Sequence, residues 1–152
     1  MVSLFVLLSA CSANQPRMEP LTNSELETAE RQWAANGSSS YHLVVRVNAA
    51  RMSAVVYDVV ARNGKIAAIK RDGQTIQPEG AEDYSISGLF RLLQQELRLM
   101  DRSPSGTPVA LAEMFARFDP ETGRLERYRR STGQSSGTLK IEVLKYEPQP
   151  GD

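Results

Sequence analysis

The chain has 152 residues, 41% hydrophobic and 24% charged, which is the size and composition of one globular domain with a modest core. Eighteen basic side chains balance eighteen acidic ones, leaving no net charge, so nothing global draws the chain to nucleic acid. One cysteine and one histidine exclude an internal disulfide and the usual structural zinc site.

Met1 to Ala10 form an uncharged, largely apolar run. It is about half the roughly 20 residues that a membrane-spanning helix needs, and matches the core of a signal peptide. The run ends in Leu8-Ser9-Ala10-Cys11. This resembles the bacterial lipobox, with leucine at −3, small residues at −2 and −1, then the cysteine that is lipidated. The resemblance implies a diacylglyceryl group on the Cys11 thiol, cleavage after Ala10, and often acylation of the new amine. Such signals open with lysine or arginine, which residues 1–10 lack, so a start upstream of Met1 is expected. Residues 11–22 are then the lipidated cysteine and a flexible tether with two prolines.

A single domain is expected over residues 23–148, with a tail at 149–152. Asn23 or Ser24 is expected to cap a helix to about Asn36, with Leu26, Ala29, Trp33 and Ala34 on one face. Tyr41 to Val47 alternates as a half-buried strand, with Tyr41, Leu43, Val45 and Val47 inward. Val55 to Arg62 is a second strand. Asn63-Gly64 is a hairpin turn, because both residues tolerate positive φ. Lys65 to Arg71 returns, Asp72-Gly73 turns again, and Gln74 to Asp83 reads mostly as loop. Ser85 or Ser87 opens a helix with Ile86, Leu89, Phe90, Leu93, Leu97 and Met100 in one stripe. Val109 to Phe118 fits both a helical and a strand period. The turn Asp119-Pro120-Glu121-Thr122-Gly123 favours a hairpin and so a strand. Leu125 to Arg130 is its polar partner, placed at a sheet edge, and Thr138 to Tyr146 is the last strand, with Leu139, Ile141 and Val143 inward. Short hairpin connections imply antiparallel pairing. The fold class is α+β: an antiparallel sheet with both helices on one face, in the order α-β-β-β-α-β-β-β.

Several strings in this order resemble the small bacterial lipoproteins grouped as domain of unknown function 6174. They are Trp33 on the first helix, Ser40-Tyr41 opening the first strand, and Ala61 to Ile66 at the hairpin. Tyr84 to Phe90 leads into the second helix, and Phe118 to Gly123 forms the later turn. The resemblance covers about Leu26 to Tyr146. It implies an envelope lipoprotein and carries over no catalytic residue. Many members have a cysteine pair after the first strand and continue the later turn as Gly-Tyr-Pro. Here those places hold Asn48-Ala49-Ala50-Arg51-Met52 and Gly123-Arg124-Leu125.

The remaining constellations read as structure. The strand neighbours of His42, Val44 and Arg46, supply neither a nucleophile nor a positioning partner. Glu79, Glu82 and Asp83 precede a helix, whose dipole favours carboxylates there. Gly133 to Thr138 lacks the lysine of a phosphate-binding loop, and no calcium loop is spelled out. Arg124, Arg127, Tyr128 and Arg129 are the candidate binding residues, facing lipid headgroups or other envelope anions. Alternation puts Arg127 and Arg129 on one strand face and Arg124, Glu126, Tyr128 and Arg130 on the other.

The sequence thus points to a lipid-anchored bacterial envelope protein, a non-catalytic binding or structural module without cofactor, metal or nucleic acid. In a host with two membranes, Ser12 after the cysteine resembles an outer-membrane sorting signal facing the periplasm. Its expected partners are the membrane and an envelope protein. The alternatives are a carrier of a small apolar ligand between the sheet and the helix Ile86–Met100, motivated by Leu92 and Leu99 off the main stripe, and an enzyme.

Overall fold

A computed structural model describes residues 17–77, 83–101, 113–132 and 137–150. Cys11 and its flanks, Glu79, Glu82 and the segment Val109 to Ala112 lie outside the described residues. The elements are β1 (Glu19–Pro20), α1 (Asn23–Asn36), β2 (Tyr41–Ala49), β3 (Val55–Arg62), β4 (Lys65–Arg71), β5 (Gln74–Ile76), α2 (Ile86–Asp101), β6 (Glu113–Phe118), β7 (Leu125–Ser131) and β8 (Leu139–Pro148).

The α+β expectation holds. One antiparallel eight-stranded sheet has the order β1-β6-β7-β8-β2-β3-β4-β5. Two meanders, β2 to β5 and β6 to β8, join along a central seam where β2 pairs with β8 from Tyr41–Pro148 to Ala49–Leu139. Both two-residue hairpins turn as their sequences require: Asn63 and Gly64 have φ of 50° and 75°, Asp72 and Gly73 of 47° and 82°.

The β2 alternation is realised in full, with Tyr41, Leu43, Val45 and Val47 all buried. Its neighbours contribute Tyr57, Val59, Ala61 and Ile69 on one side and Ile141, Tyr128, Met114 and Ala116 on the other. The stripe of α2 closes this core, and Ile86, Leu89 and Leu93 are fully buried. Leu26 and Ala29 of α1 complete it. The opposite, open sheet face carries His42, Arg46, Asp58, Glu142, Lys145 and Glu147 among Val44, Val56 and Val60.

The helix starts are set by side chains that satisfy first-turn N–H groups. Thr22, one residue before the expected caps, accepts the Glu25 N–H at 3.2 Å, and its hydroxyl faces the Glu25 carboxylate in return. Leu21 decides the register, because it is buried and donates its N–H to Met114 O at 2.9 Å. At α2, Ser85 Oγ accepts the Gly88 N–H at 3.1 Å, and the Tyr41 hydroxyl accepts the Ile86 N–H at 3.0 Å. Asp83 accepts the Ser85 N–H and pairs with Arg91.

Four expectations are corrected. The tether's last residues, Glu19–Pro20, form a strand on β6. Gln74–Ile76 pairs with β4, because the Asp72-Gly73 turn returns the chain onto it. The strand Leu125–Ser131 is no edge but lies between β6 and β8. Bulges shift the alternation at three places: beside Val44/Val45, which leaves Leu144 exposed and turns Tyr146 toward the core, beside Val60/Ala61, and beside Arg117/Phe118, opposite Glu126.

Candidate functional site

The main cleft among the described residues opens where α1 passes β6, beside the β6–β7 turn, and has a volume of about 490 Å³. Its apolar wall is Ala29, Ala116 and Phe118; Thr28, Gln32, Glu25, Arg117 and Glu126 supply polar groups. That size suits a small organic ligand.

The turn that bounds the cleft is built from Asp119. Its carboxylate accepts the Glu121 N–H at 3.0 Å, the Thr122 N–H at 2.9 Å and the Thr122 hydroxyl at 3.1 Å. It also accepts Arg124 Nη2 at 2.8 Å. Burial alone would raise the carboxyl's pKa, but the two Thr122 bonds, the Arg124 charge and the Glu121 bond outweigh it and hold the group below its ordinary 3.8. Gly123 follows at φ 75°, and a side chain there would meet the Ala29 carbonyl of α1. Asn36 Nδ2 donates to Glu121 O at 3.0 Å, tying the far end of α1 to the same turn.

Behind the turn, Arg124 is mostly buried. Its guanidinium lies 4.7 Å from the centre of the Tyr146 ring, in a cation–π contact. Tyr146 packs edge-on to Trp33 at 6.1 Å, and Trp33 to Tyr41 at 5.8 Å. Ion pairs then run Asp119–Arg124–Glu126–Arg117, with Arg117–Glu126 at 2.6 Å and Arg124–Glu126 at 3.4 Å. The bulge presents Glu126 to both arginines.

The structure separates the four candidate binding residues. Arg124 and Tyr128 lie on the helix side, Arg127 and Arg129 on the open face. Tyr128 is 1% exposed and donates its hydroxyl to Glu96 of α2 at 3.0 Å. Arg130 Nη1 holds the same carboxylate at 2.6 and 2.8 Å. Burial and the neighbouring Glu96 charge push the Tyr128 pKa far up, so the phenol stays protonated as a donor. This partly buried triad fastens α2 to β7. Arg127 pairs with Glu142 at 3.1 Å, and Arg129 lies over Phe115.

His42 meets two carboxylates on the open face, Asp58 at 2.9 Å and Glu147 at 3.7 Å. Its register partners are Val60 and Glu147, and the main cleft is lined elsewhere. Among the described residues no group of histidine, cysteine and carboxylates is arranged to hold a metal ion. Likewise none of their helices is long and apolar enough to cross a membrane.

The sequence reading missed Phe118, Arg117 and Glu126 as cleft residues. Only the Asp119–Gly123 turn signalled that this end of the sheet is specially built. No protein-family model and no curated protein matches the chain.

Proposed function

We propose that this chain is a lipid-anchored protein of the bacterial cell envelope, held through Cys11 and acting as a non-catalytic binding or structural module. In a host with two membranes it sits on the outer membrane and faces the periplasm. The observation that carries the reading is Leu8-Ser9-Ala10-Cys11 after an apolar run, with the only cysteine of the chain at the lipidation position. The resemblance to the lipoproteins of domain of unknown function 6174 supports it. Radiolabelled palmitate tests it. The wild-type chain incorporates label and fractionates with membranes, and Cys11→Ser abolishes both. A Cys11→Ser variant that labels and fractionates like wild type refutes the anchor.

The α1–β6 cleft favours a second reading, a carrier of a small ligand with an apolar body and a polar end. The space expected for such a ligand, between the sheet and α2, is filled by Ile86, Leu89 and Leu93. The cleft at Ala29, Ala116 and Phe118 takes its place. Native mass spectrometry of the purified chain is expected to show a co-purifying small molecule that Ala116→Trp displaces. Ligand-free spectra from freshly extracted protein refute this reading.

A further inference from the structure

Most charges on the open face of the sheet are paired. Glu142 serves both Arg46 and Arg127, and Glu147 serves Lys145 and His42. Two places are different: Arg62 and Lys65, exposed register partners at the β3–β4 hairpin without a carboxylate partner among the described residues, and the corner that holds Arg129 and Lys140 beside the exposed Met52. Arg129 and Lys140 are register partners on neighbouring strands, both exposed, and neither has a carboxylate partner among the described residues. Like charges placed opposite one another cost stability. Lys140 also lines a small cleft with Asn48, Thr138, Arg51 and Met52, at the β2–β3 connection. Arg51 is a third exposed cation without a carboxylate partner among the described residues. Glu113 and Asp72 belong to the same end of the sheet, but Asp72 accepts the Val56 N–H at 2.8 Å and neither carboxylate pairs with the three cations.

The connection is an ordered tip. Ala50 donates its N–H to Thr138 O at 2.9 Å, and Met52 to Ala49 O at 3.1 Å. Arg51 holds φ at 64°, a left-handed conformation that costs a side-chain-bearing residue about 1–2 kcal/mol. The tip thereby presents Met52, 60% exposed, next to the cations. A second bare apolar residue, Leu99 at 62%, is on the last turn of α2. That helix starts at Tyr41, the first residue of β2, and reaches Tyr128 and Arg130 near the end of β7. Since β2 and β7 run the same way, α2 ends at the end of the domain that carries Met52.

Three cations without carboxylate partners among the described residues, beside the exposed Met52, match the chemistry of an anionic bilayer surface, with phosphates outside and acyl chains beneath. We infer that this end of the domain docks on anionic phospholipid, with Met52 entering the headgroup layer and Arg51, Arg129 and Lys140 meeting lipid phosphates. The inference deepens the anchored-protein reading and rests on it for the presence of a membrane. The tether allows it. Six peptide units join Cys11 to Arg17 and span at most about 20 Å, while β6 from Phe118 to Glu113 covers about 17 Å.

The test uses the mature chain from residue 11 with Cys11→Ser, so that no acyl group contributes. It is floated with phosphatidylcholine vesicles with and without phosphatidylglycerol. Binding is expected only with phosphatidylglycerol, and high salt weakens it. Each cation near an anionic leaflet contributes about fivefold, so R51Q/R129Q/K140Q weakens binding on the order of a hundredfold. M52S weakens it further, and the unfolding midpoint does not fall, because all four side chains are exposed and the Arg129–Lys140 repulsion is relieved. The control R31Q/R62Q/K65Q removes three exposed charges from outside this corner and leaves binding near wild type. No flotation, equal binding to neutral vesicles, or equal loss in the control overturns the inference. The palmitate result on Cys11 is independent of each of these outcomes.

Discussion

Gly64 and Gly123 form a matched pair, since both hold φ at 75°. They differ in what surrounds them. Nothing lies within 4 Å of a Cβ built on Gly64, whereas one on Gly123 would stand 2.2 Å from the Ala29 carbonyl oxygen and 2.8 Å from Gln32 Cβ. Gly64→Ala therefore adds only the left-handed backbone penalty, about 1–2 kcal/mol, reduced by a few tenths through the stiffer unfolded chain. Gly123→Ala adds the same penalty and also forces the β6–β7 turn and α1 apart by about 1 Å, an overpacking cost of about 1–3 kcal/mol. Urea unfolding of the two variants should separate them by about 1–3 kcal/mol at unchanged m-value, with Gly123→Ala the weaker. If the two lose the same stability within about 0.5 kcal/mol, the turn does not bear on α1 as described, and the cleft wall it forms is not fixed by that contact.

Three further outcomes follow from the same structure. Tyr41→Phe leaves the Ile86 N–H without its acceptor in a buried place, and chemical denaturation should show a loss of about 1–3 kcal/mol. Arg130→Ala strands the Glu96 carboxylate, 11% exposed, and should cost about 3–5 kcal/mol; Tyr128→Phe, which leaves the ion pair intact, should cost only about 1 kcal/mol. Asp119 has a folded pKa below its unfolded value, so its contribution is present above pH 3.8 and is lost as pH falls through the lower folded value. Acid titration of stability should accordingly be shallower for Asp119→Asn than for wild type below pH 3.8.

What the sequence disclosed follows from how local each constraint is. Asn63-Gly64 and Asp72-Gly73 declare their turns because few residues accept positive φ. The β2 alternation and the α2 stripe declare their buried faces because one period runs uninterrupted through each. At the first helix start, Thr22, Asn23 and Ser24 can all act as caps, and the choice falls to a distant contact, Leu21 on Met114. β1 contains two residues, one of them a proline, and shows no period at all. The candidate site was the least legible part. Arg124 looks like a surface cation in sequence, and only the β8 bulge that turns Tyr146 inward makes its burial intelligible. Glu126 likewise reaches two arginines because of a bulge that no residue pattern announces.

The central seam has a consequence for when the molecule can fold. β2 finds one of its two partners in β3 almost at once, but its other partner is β8, the last of the described strands. Until residues 139–148 are available, the two meanders have no common sheet, and loop-closure entropy opposes their meeting. A growing chain of this topology therefore keeps the two halves of its sheet apart until β8 has been made. Among the described strands, the one made last is also the one that joins the two halves of the sheet.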